Sequence, residues 1–480
     1  MVRLLKICLG PLLSFLVFFA PFIHLNDEMS VVACVGVLMS TWWVLEAIPL
    51  PVTALVPIVA FPLSGVCSTT QMANCYSHPV LALFLGGCLM ALGLERWGLH
   101  RRLALLCLLS LRGGTKRLIF SFLTVTAFLS LWISNTATTM MMIPVVISIL
   151  DFQIETKRDS SLGVSLLLAV AYGATIGGMG TLMGTPPNSL LAGFLLQRYG
   201  VDLSFFDWFF VGAVFVAGLL PMAWLLLILV VSPPDLTEQE IEAKQLALQK
   251  AWRLLPSFTV EEFLLASLYI CTIAFWIFRP WLSVWIFGDE RLTDSGIAIF
   301  SGILMFILPA RNGGSLLEWE QTKELPWGVF LLFGGGLALS KAVEQSGLAL
   351  VLLESFGGVG QEHSFGVFAV VTALVLFLTE LTSNIATTAA FLPILSEFSG
   401  VGALPLGLLV GVTLAASCAF MLPIATAPNA LVFATGRLKI SQMLRIGFLL
   451  NIVAWCWLLC LGRWVWPLLL PVVSKVPLGI

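Results

Sequence analysis

Ser134-Asn135-Thr136-Ala137-Thr138-Thr139 returns, with one exchange, as Ser383-Asn384-Ile385-Ala386-Thr387-Thr388. Each copy interrupts an apolar stretch and is followed by an apolar helical pattern containing a proline, Pro144 or Pro393. Polar residues at matching places in two halves of a membrane chain are what a solute site between repeats requires. Small polar residues also mediate ordinary helix packing in bilayers. Duplication separates the two readings, because packing alone has no reason to repeat the same motif in each half.

Composition places the chain in a bilayer before any motif is read. Of 480 residues 59% are apolar and 10% charged, whereas a soluble domain carries roughly 25% charged residues. The net charge of -2 and the lack of a basic block give no footing for nucleic acid. Arg3 and Lys6 precede an apolar run to Ile23 that has no small-residue cleavage site, so the run reads as a retained helix, residues 1–30. The cysteines are scattered through apolar segments, as packing residues are. Cys67 and Cys75 share a short loop placed outside, where a disulfide is an open alternative. The four histidines, His24, His78, His100 and His363, do not cluster with carboxylates, and no metal cage of that type is indicated.

A membrane-spanning helix needs about 20 apolar residues. Windows of that kind, among them Val80–Cys107 and Gly328–Leu353, predict an all-α protein with about eleven transmembrane helices. The two stretches with Ser-Asn motifs, 118–149 and 368–395, are too long for one crossing and too interrupted for two. Each reads as a re-entrant hairpin with its polar tip near the midplane, where irregular backbone survives only beside protein or water. With the amino terminus inside, the inner loops collect most of the cations, including Arg101, Arg102, Arg112, Lys116, Arg117, Lys157, Arg158, Lys244, Lys250 and Arg253. The outer side keeps mainly Arg198, Arg279, Arg291 and Lys475, a positive-inside pattern. An odd number of crossings then separates the hairpins, which makes the halves inverted repeats. The expected division is 31–231 for the first repeat, 232–262 for a cytoplasmic linker whose stretch Glu238 to Trp252 forms a surface helix, and 263–480 for the second.

A second duplicated element follows each hairpin: Gly184-Thr185-Pro186-Pro187-Asn188 within 164–196, and Ala425-Thr426-Ala427-Pro428-Asn429 within 404–433. Proline lacks an amide donor and clashes with the preceding turn, so both helices are expected to break. Carbonyls freed at a break suit sodium, and the following helix start offers amides and a positive dipole to an anion. None of these motifs contains lysine or arginine. An anion would therefore be held by hydroxyls, amides and helix N-termini, with bound cations balancing its charge. Bringing a dianion in against an inside-negative potential costs about 4.6 kcal/mol per 100 mV, and two sodium ions cancel that cost. Among intramembrane charges, Glu95 with Arg96 and Lys341 with Glu344 read as structural pairs, Glu46 stands as a further candidate, and Glu380, just before Ser383, reads first as a brace for its hairpin.

Taken in order, Trp42-Trp43, Glu46-Ala47-Ile48-Pro49-Leu50-Pro51, Phe84-Leu85-Gly86-Gly87, the two Ser-Asn motifs, Pro326-Trp327-Gly328 and the two proline-bearing breaks resemble the divalent anion/sodium symporter family, sodium-coupled carriers of dicarboxylates, citrate and sulfate. The resemblance runs over nearly the whole chain and is to compact bacterial members. It implies a homodimer in a plasma membrane, each protomer with a fixed scaffold and a transport domain that moves as an elevator. Carried over residue by residue, it implies substrate contacts from Ser134, Asn135, Thr136, Thr185, Ser383, Asn384 and Thr426. It implies sodium ligands from Ser130, Ser134, Asn135 and Gly184 at one site, and Thr379, Asn384, Ala425 and Thr426 at the other. Ile385 stands where many bacterial members have threonine, and Ala427 where they have a first proline. The expected function is sodium-coupled uptake of a small di- or tricarboxylate such as succinate, malate or fumarate, with a sodium-independent exchanger, a sulfate carrier and a non-transporting anion sensor as alternatives. No organic cofactor and no enzymatic nucleophile with its base are expected.

Overall fold

The computed structural model describes residues 2–19, 26–110, 113–154, 161–289, 291–311, 313–348, 351, 364–396 and 404–467. His24, His363, Arg112, Lys157, Arg158 and Lys475 lie outside the described residues. Within them the chain is helical, and its only strand-like pairing is an isolated bridge between Pro309 and Ser315. Seven described helices are long and apolar enough to cross a membrane, from Asp27–Leu45 to Ile440–Val465. Several other apolar helices are shorter, including Leu50–Ser64, Asp294–Ile307 and the arms of the motif-bearing segments.

The window Val80–Cys107 is two helices, Pro79–Trp97 and Leu99–Ser110. Gly98 separates them at φ 71°, its N–H donating to Glu95 O. Gly347 ends Trp327–Ser346 in the same way, at φ 72° with its N–H on Glu344 O. A left-handed residue after the last turn is glycine's usual station, because no Cβ opposes it. Gly98-Leu99 and Gly347-Leu348, matching steps in the two halves, thus mark helix ends rather than mid-span features.

Each motif-bearing stretch is two helices that meet at its Ser-Asn motif. Thr115–Ser130 and Asn135–Ile154 make up the first expected hairpin, and Ser364–Leu378 and Asn384–Leu395 the second. Each is followed by a helix interrupted midway: Ser161–Gly178 then Pro186–Tyr199, and Leu404–Ser417 then Ala427–Ala434. Every prolyl break obeys one rule, that the proline occupies the first turn of the second half, where its missing amide has no helical partner to lose. Ala427 takes the leading position in the second copy, and Pro428 alone accompanies a complete interruption. Ser161–Gly178 lies so close to the first hairpin that a Cβ on Gly173 would be 2.5 Å from Leu123 O, and one on Gly177 2.1 Å from Ala127 O. The halves also interlock: Pro186–Tyr199 packs against Asn384–Leu395, and Ala427–Ala434 packs against Asn135–Ile154.

The linker forms the helix Glu238–Arg253, capped by Thr237 and Glu240. Arg102, 8% exposed, fastens the segment that follows it: its Nε and Nη2 donate to the two carboxylate oxygens of Glu262 at 2.7 and 3.0 Å, and Nη2 donates to Pro256 O at 2.8 Å. One expected pair needs correction, and one open alternative is decided. Arg96 bonds Glu318 and Gln321 rather than Glu95, because adjacent residues on a helix do not face each other. Cys67 and Cys75 are free thiols, with Cys67 Sγ donating to Gln345 Oε1 at 2.8 Å and Cys75 Sγ to Gln71 O at 3.4 Å. Lys341 and Glu344 do pair, at 3.2 Å, and Arg198 reaches the other oxygen of Glu344 at 3.0 Å.

Candidate functional site

Four helices begin at one cavity of about 660 Å³. Their leading residues are Ser134, Thr185, Ser383 and Thr426, and all four line its wall. Ser134 Oγ accepts Ala137 N–H at 3.2 Å, and Thr426 Oγ1 accepts Asn429 N–H at 3.3 Å. Thr185 and Ser383 make no capping bond with their side chains, which leaves both hydroxyls for a bound group. The start of a helix presents unpaired amides and roughly half a positive charge, so four of them around one space favour an anion without any basic side chain. Among its described lining residues there is no lysine, arginine or histidine.

Asn135, Thr136, Gly184, Asn384 and Ala425 also line this cavity. Every residue expected to touch substrate is therefore on one wall, together with most of those expected to hold sodium. Ser130 and Thr379 are not on the wall; they lie behind it with no exposed surface. Each donates its hydroxyl to the neighbouring asparagine, Ser130 Oγ to Asn135 Oδ1 at 2.6 Å and Thr379 Oγ1 to Asn384 Oδ1 at 2.7 Å. The two copies thus repeat a hydrogen bond as well as a motif. Thr379 Oγ1 is also 2.6 Å from Ala416 O, so one proton stands between two acceptors. Such a concentration of oxygens short of protons is the setting a hard cation completes. In the first copy Gly178 makes the room: a Cβ there would lie 2.4 Å from Asn135 Oδ1 and 3.0 Å from Gly184 O.

Glu380 is 2% exposed and does not line the cavity. Its carboxylate accepts Phe420 N–H at 2.7 Å, Met421 N–H at 3.0 Å, Leu422 N–H at 3.1 Å and Asn451 Nδ2 at 2.7 Å. It ties the second hairpin to the interrupted stretch beside it, the bracing expected of it. The first copy has Leu131 at this point and uses its carbonyl instead, which accepts Thr181 Oγ1 at 2.7 Å. Several wall residues lie outside the expected ligand sets. Thr382 precedes the second motif and Ile385 is its third residue, Met183 precedes Gly184, and Glu46, Glu95 and Glu324 stand on the wall from other elements. Glu46, already a candidate among the intramembrane charges, has a positive φ of 47° and opens the Glu-Ala-Ile-Pro-Leu-Pro run.

Comparison with known proteins agrees over the full length. Residues 4–472 match the model of the sodium:sulfate symporter transmembrane region. A sodium-dependent dicarboxylate transporter, SdcS, of Staphylococcus saprophyticus is 37% identical, with 94% of this chain and 89% of the relative aligned. Its Staphylococcus aureus counterpart is 38% identical over 99% of this chain and 94% of the relative. The solved structure of Neisseria gonorrhoeae MtrF shares the fold at a TM-score of 0.56 and 16% identity, covering 97% of this chain and 94% of that one.

Proposed function

Because the chain belongs to the sodium:sulfate symporter family of membrane transporters, we propose that it couples the entry of sodium to the uptake of a small dicarboxylate across a bacterial plasma membrane. The observation that carries this reading is the convergence of four helix starts, at Ser134, Thr185, Ser383 and Thr426, on a cavity whose described lining has no cationic side chain. A dianion has two ends, and the duplicated Ser-Asn turns offer each end hydroxyls, amides and a helix dipole. Ser134, Asn135 and Thr136 with Thr185 take one carboxylate; Ser383 and Asn384 with Thr426 take the other. One sodium lies among Ser130, Ser134, Asn135 and Gly184, the other among Thr379, Asn384, Ala425 and Thr426. The names of the staphylococcal relatives, sodium-dependent dicarboxylate transporters, support the coupling and the substrate class.

The same reading extends to the working cycle. The hairpin and broken helix of each half form a transport domain built from two repeats of opposite orientation, which moves as an elevator against a scaffold that holds a homodimer. Interlocking of each second half-helix with the other half's hairpin supports one moving body. The test is uptake into proteoliposomes of succinate, citrate and sulfate, each with and without an inward sodium gradient. Succinate accumulating only with the gradient is the expected result. Asn135→Ala and Asn384→Ala should abolish it while the protein still purifies folded. Equal uptake without sodium, or no uptake of any of the three, would reject the proposal.

A further inference from the structure

Behind the cavity, two asparagines that the ligand sets leave out occupy matching places in the two breaks. Asn188 and Asn429 each follow the leading threonine of a second half-helix by three residues, and neither has exposed surface. Asn188 Nδ2 is 3.3 Å from Gly178 O, 3.2 Å from Met179 O and 2.7 Å from Thr181 O. Asn429 Nδ2 is 3.2 Å from Ala419 O and 3.1 Å from Leu422 O. An amide nitrogen carries two protons and a carbonyl oxygen carries none, so these partners fix which end of each side chain faces the break. Both Oδ1 atoms are left buried with no partner. An unsatisfied buried acceptor is costly, and an apolar side chain of the same size would avoid that cost. The cost recurs in both halves, which points to work done by the nitrogens.

That work is visible in what the carbonyls adjoin. Gly178, whose oxygen Asn188 holds, is the residue whose missing side chain leaves room between Asn135 Oδ1 and Gly184 O. Thr181, also held, donates its hydroxyl to Leu131 O in the hairpin turn and accepts Gly184 N–H at 3.0 Å. In the second copy Asn429 holds Leu422 O, and Ala425 N–H donates to that same oxygen at 3.2 Å. Each asparagine thus holds the residue that accepts the N–H of Gly184 or Ala425. We propose that Asn188 and Asn429 are positioning residues for the two sodium sites: each draws the carbonyls of its break into one arc and so sets where the ion's backbone ligands stand, touching neither ion nor substrate. The inference rests on the sodium-coupled reading above.

Asn188→Asp and Asn429→Asp keep the shape and replace the two-proton donor with an acceptor. Succinate uptake by proteoliposomes is measured against sodium concentration, and the succinate KM is measured at saturating sodium. Supporting groups behind a metal ligand are typically worth 10–100-fold in metal affinity, so the half-saturating sodium concentration should rise about tenfold or more while the succinate KM at saturating sodium stays near wild type. A purely structural brace would lower the maximal rate or the yield of folded protein and leave the sodium dependence where it was. Should the aspartate variants fail to fold, Asn188→Ser and Asn429→Ser retain one donor and are expected to give a smaller rise. Sodium-dependent thermal stabilisation of the purified protein supplies a readout that needs no turnover. Folded variants with the wild-type sodium dependence would overturn the assignment of the asparagines while a sodium-dependent wild type upholds the transport reading. A wild type indifferent to sodium would overturn both.

Discussion

Glu380→Gln changes one heavy atom and should be among the most damaging substitutions outside the cavity. The carboxylate meets four donors: Oε1 accepts Phe420 N–H, Met421 N–H and Asn451 Nδ2, while Oε2 accepts from Met421 and Leu422. Whichever way a glutamine turns, its amide nitrogen points at backbone N–H groups that need an acceptor. Hydrogen bonds to a charged group contribute about 1.5–3 kcal/mol each, and a buried donor left open costs about 1–3 kcal/mol. Relief from burying a charge offsets part of that loss. A net destabilisation of about 2–4 kcal/mol results, roughly a 30- to 1,000-fold change in the local equilibrium. Glu380→Ala, which leaves all four donors open, should cost more. Asn451→Leu should cost least, because it removes one donor and also the orphaned Oδ1 of Asn451. Thermal unfolding of the purified variants, followed by intrinsic fluorescence beside succinate uptake, reads the order directly. A Glu380→Gln protein that melts and transports like wild type would refute the brace and the accounting behind it.

Three further outcomes follow from packing and from the cavity wall. Arg102→Ala leaves Glu262 buried without its cation, so unfolding stability should fall by about 3–5 kcal/mol; replacing both with apolar residues should restore much of it, as denaturation of the single and double variants would show. Gly177→Ala places a methyl group 2.1 Å from Ala127 O and should cost about 1–3 kcal/mol or more through overpacking, measured as a lower melting temperature with no change in the sodium dependence of whatever protein remains active. Ile385→Thr adds a hydroxyl to the wall beside Asn384; one extra hydrogen bond at about 0.5–1.5 kcal/mol should lower the succinate KM roughly two- to tenfold, read from uptake at saturating sodium.

Duplication made much of the cavity wall legible in the sequence. Four motifs drew attention to Ser134, Asn135, Thr185, Ser383, Asn384 and Thr426 because polar residues stand out against an apolar background, and all six line one cavity. What could not be read was anything that depends on the neighbour across a gap. Gly98 looked like part of one long span, since hydropathy does not register the left-handed backbone that divides it. Glu46 and Glu324 reach the wall from segments distant in sequence, and no local pattern predicts that meeting. Ser130 and Thr379 illustrate the limit most clearly. The family resemblance marked them, yet only packing decides that each hydroxyl rests on an asparagine oxygen behind the cavity rather than on its surface.

The bare glycine contacts between Ser161–Gly178 and the first hairpin have a mechanical corollary. Two helices separated by side chains can slide, because rotamers absorb small displacements. Backbones that meet at Gly173 and Gly177 have no such cushion, so the Ser-Asn turn and the prolyl interruption, which lie together at one end of this pair, answer to a single lever. Anything that forces a wedge between them disables the device without ever reaching the solute.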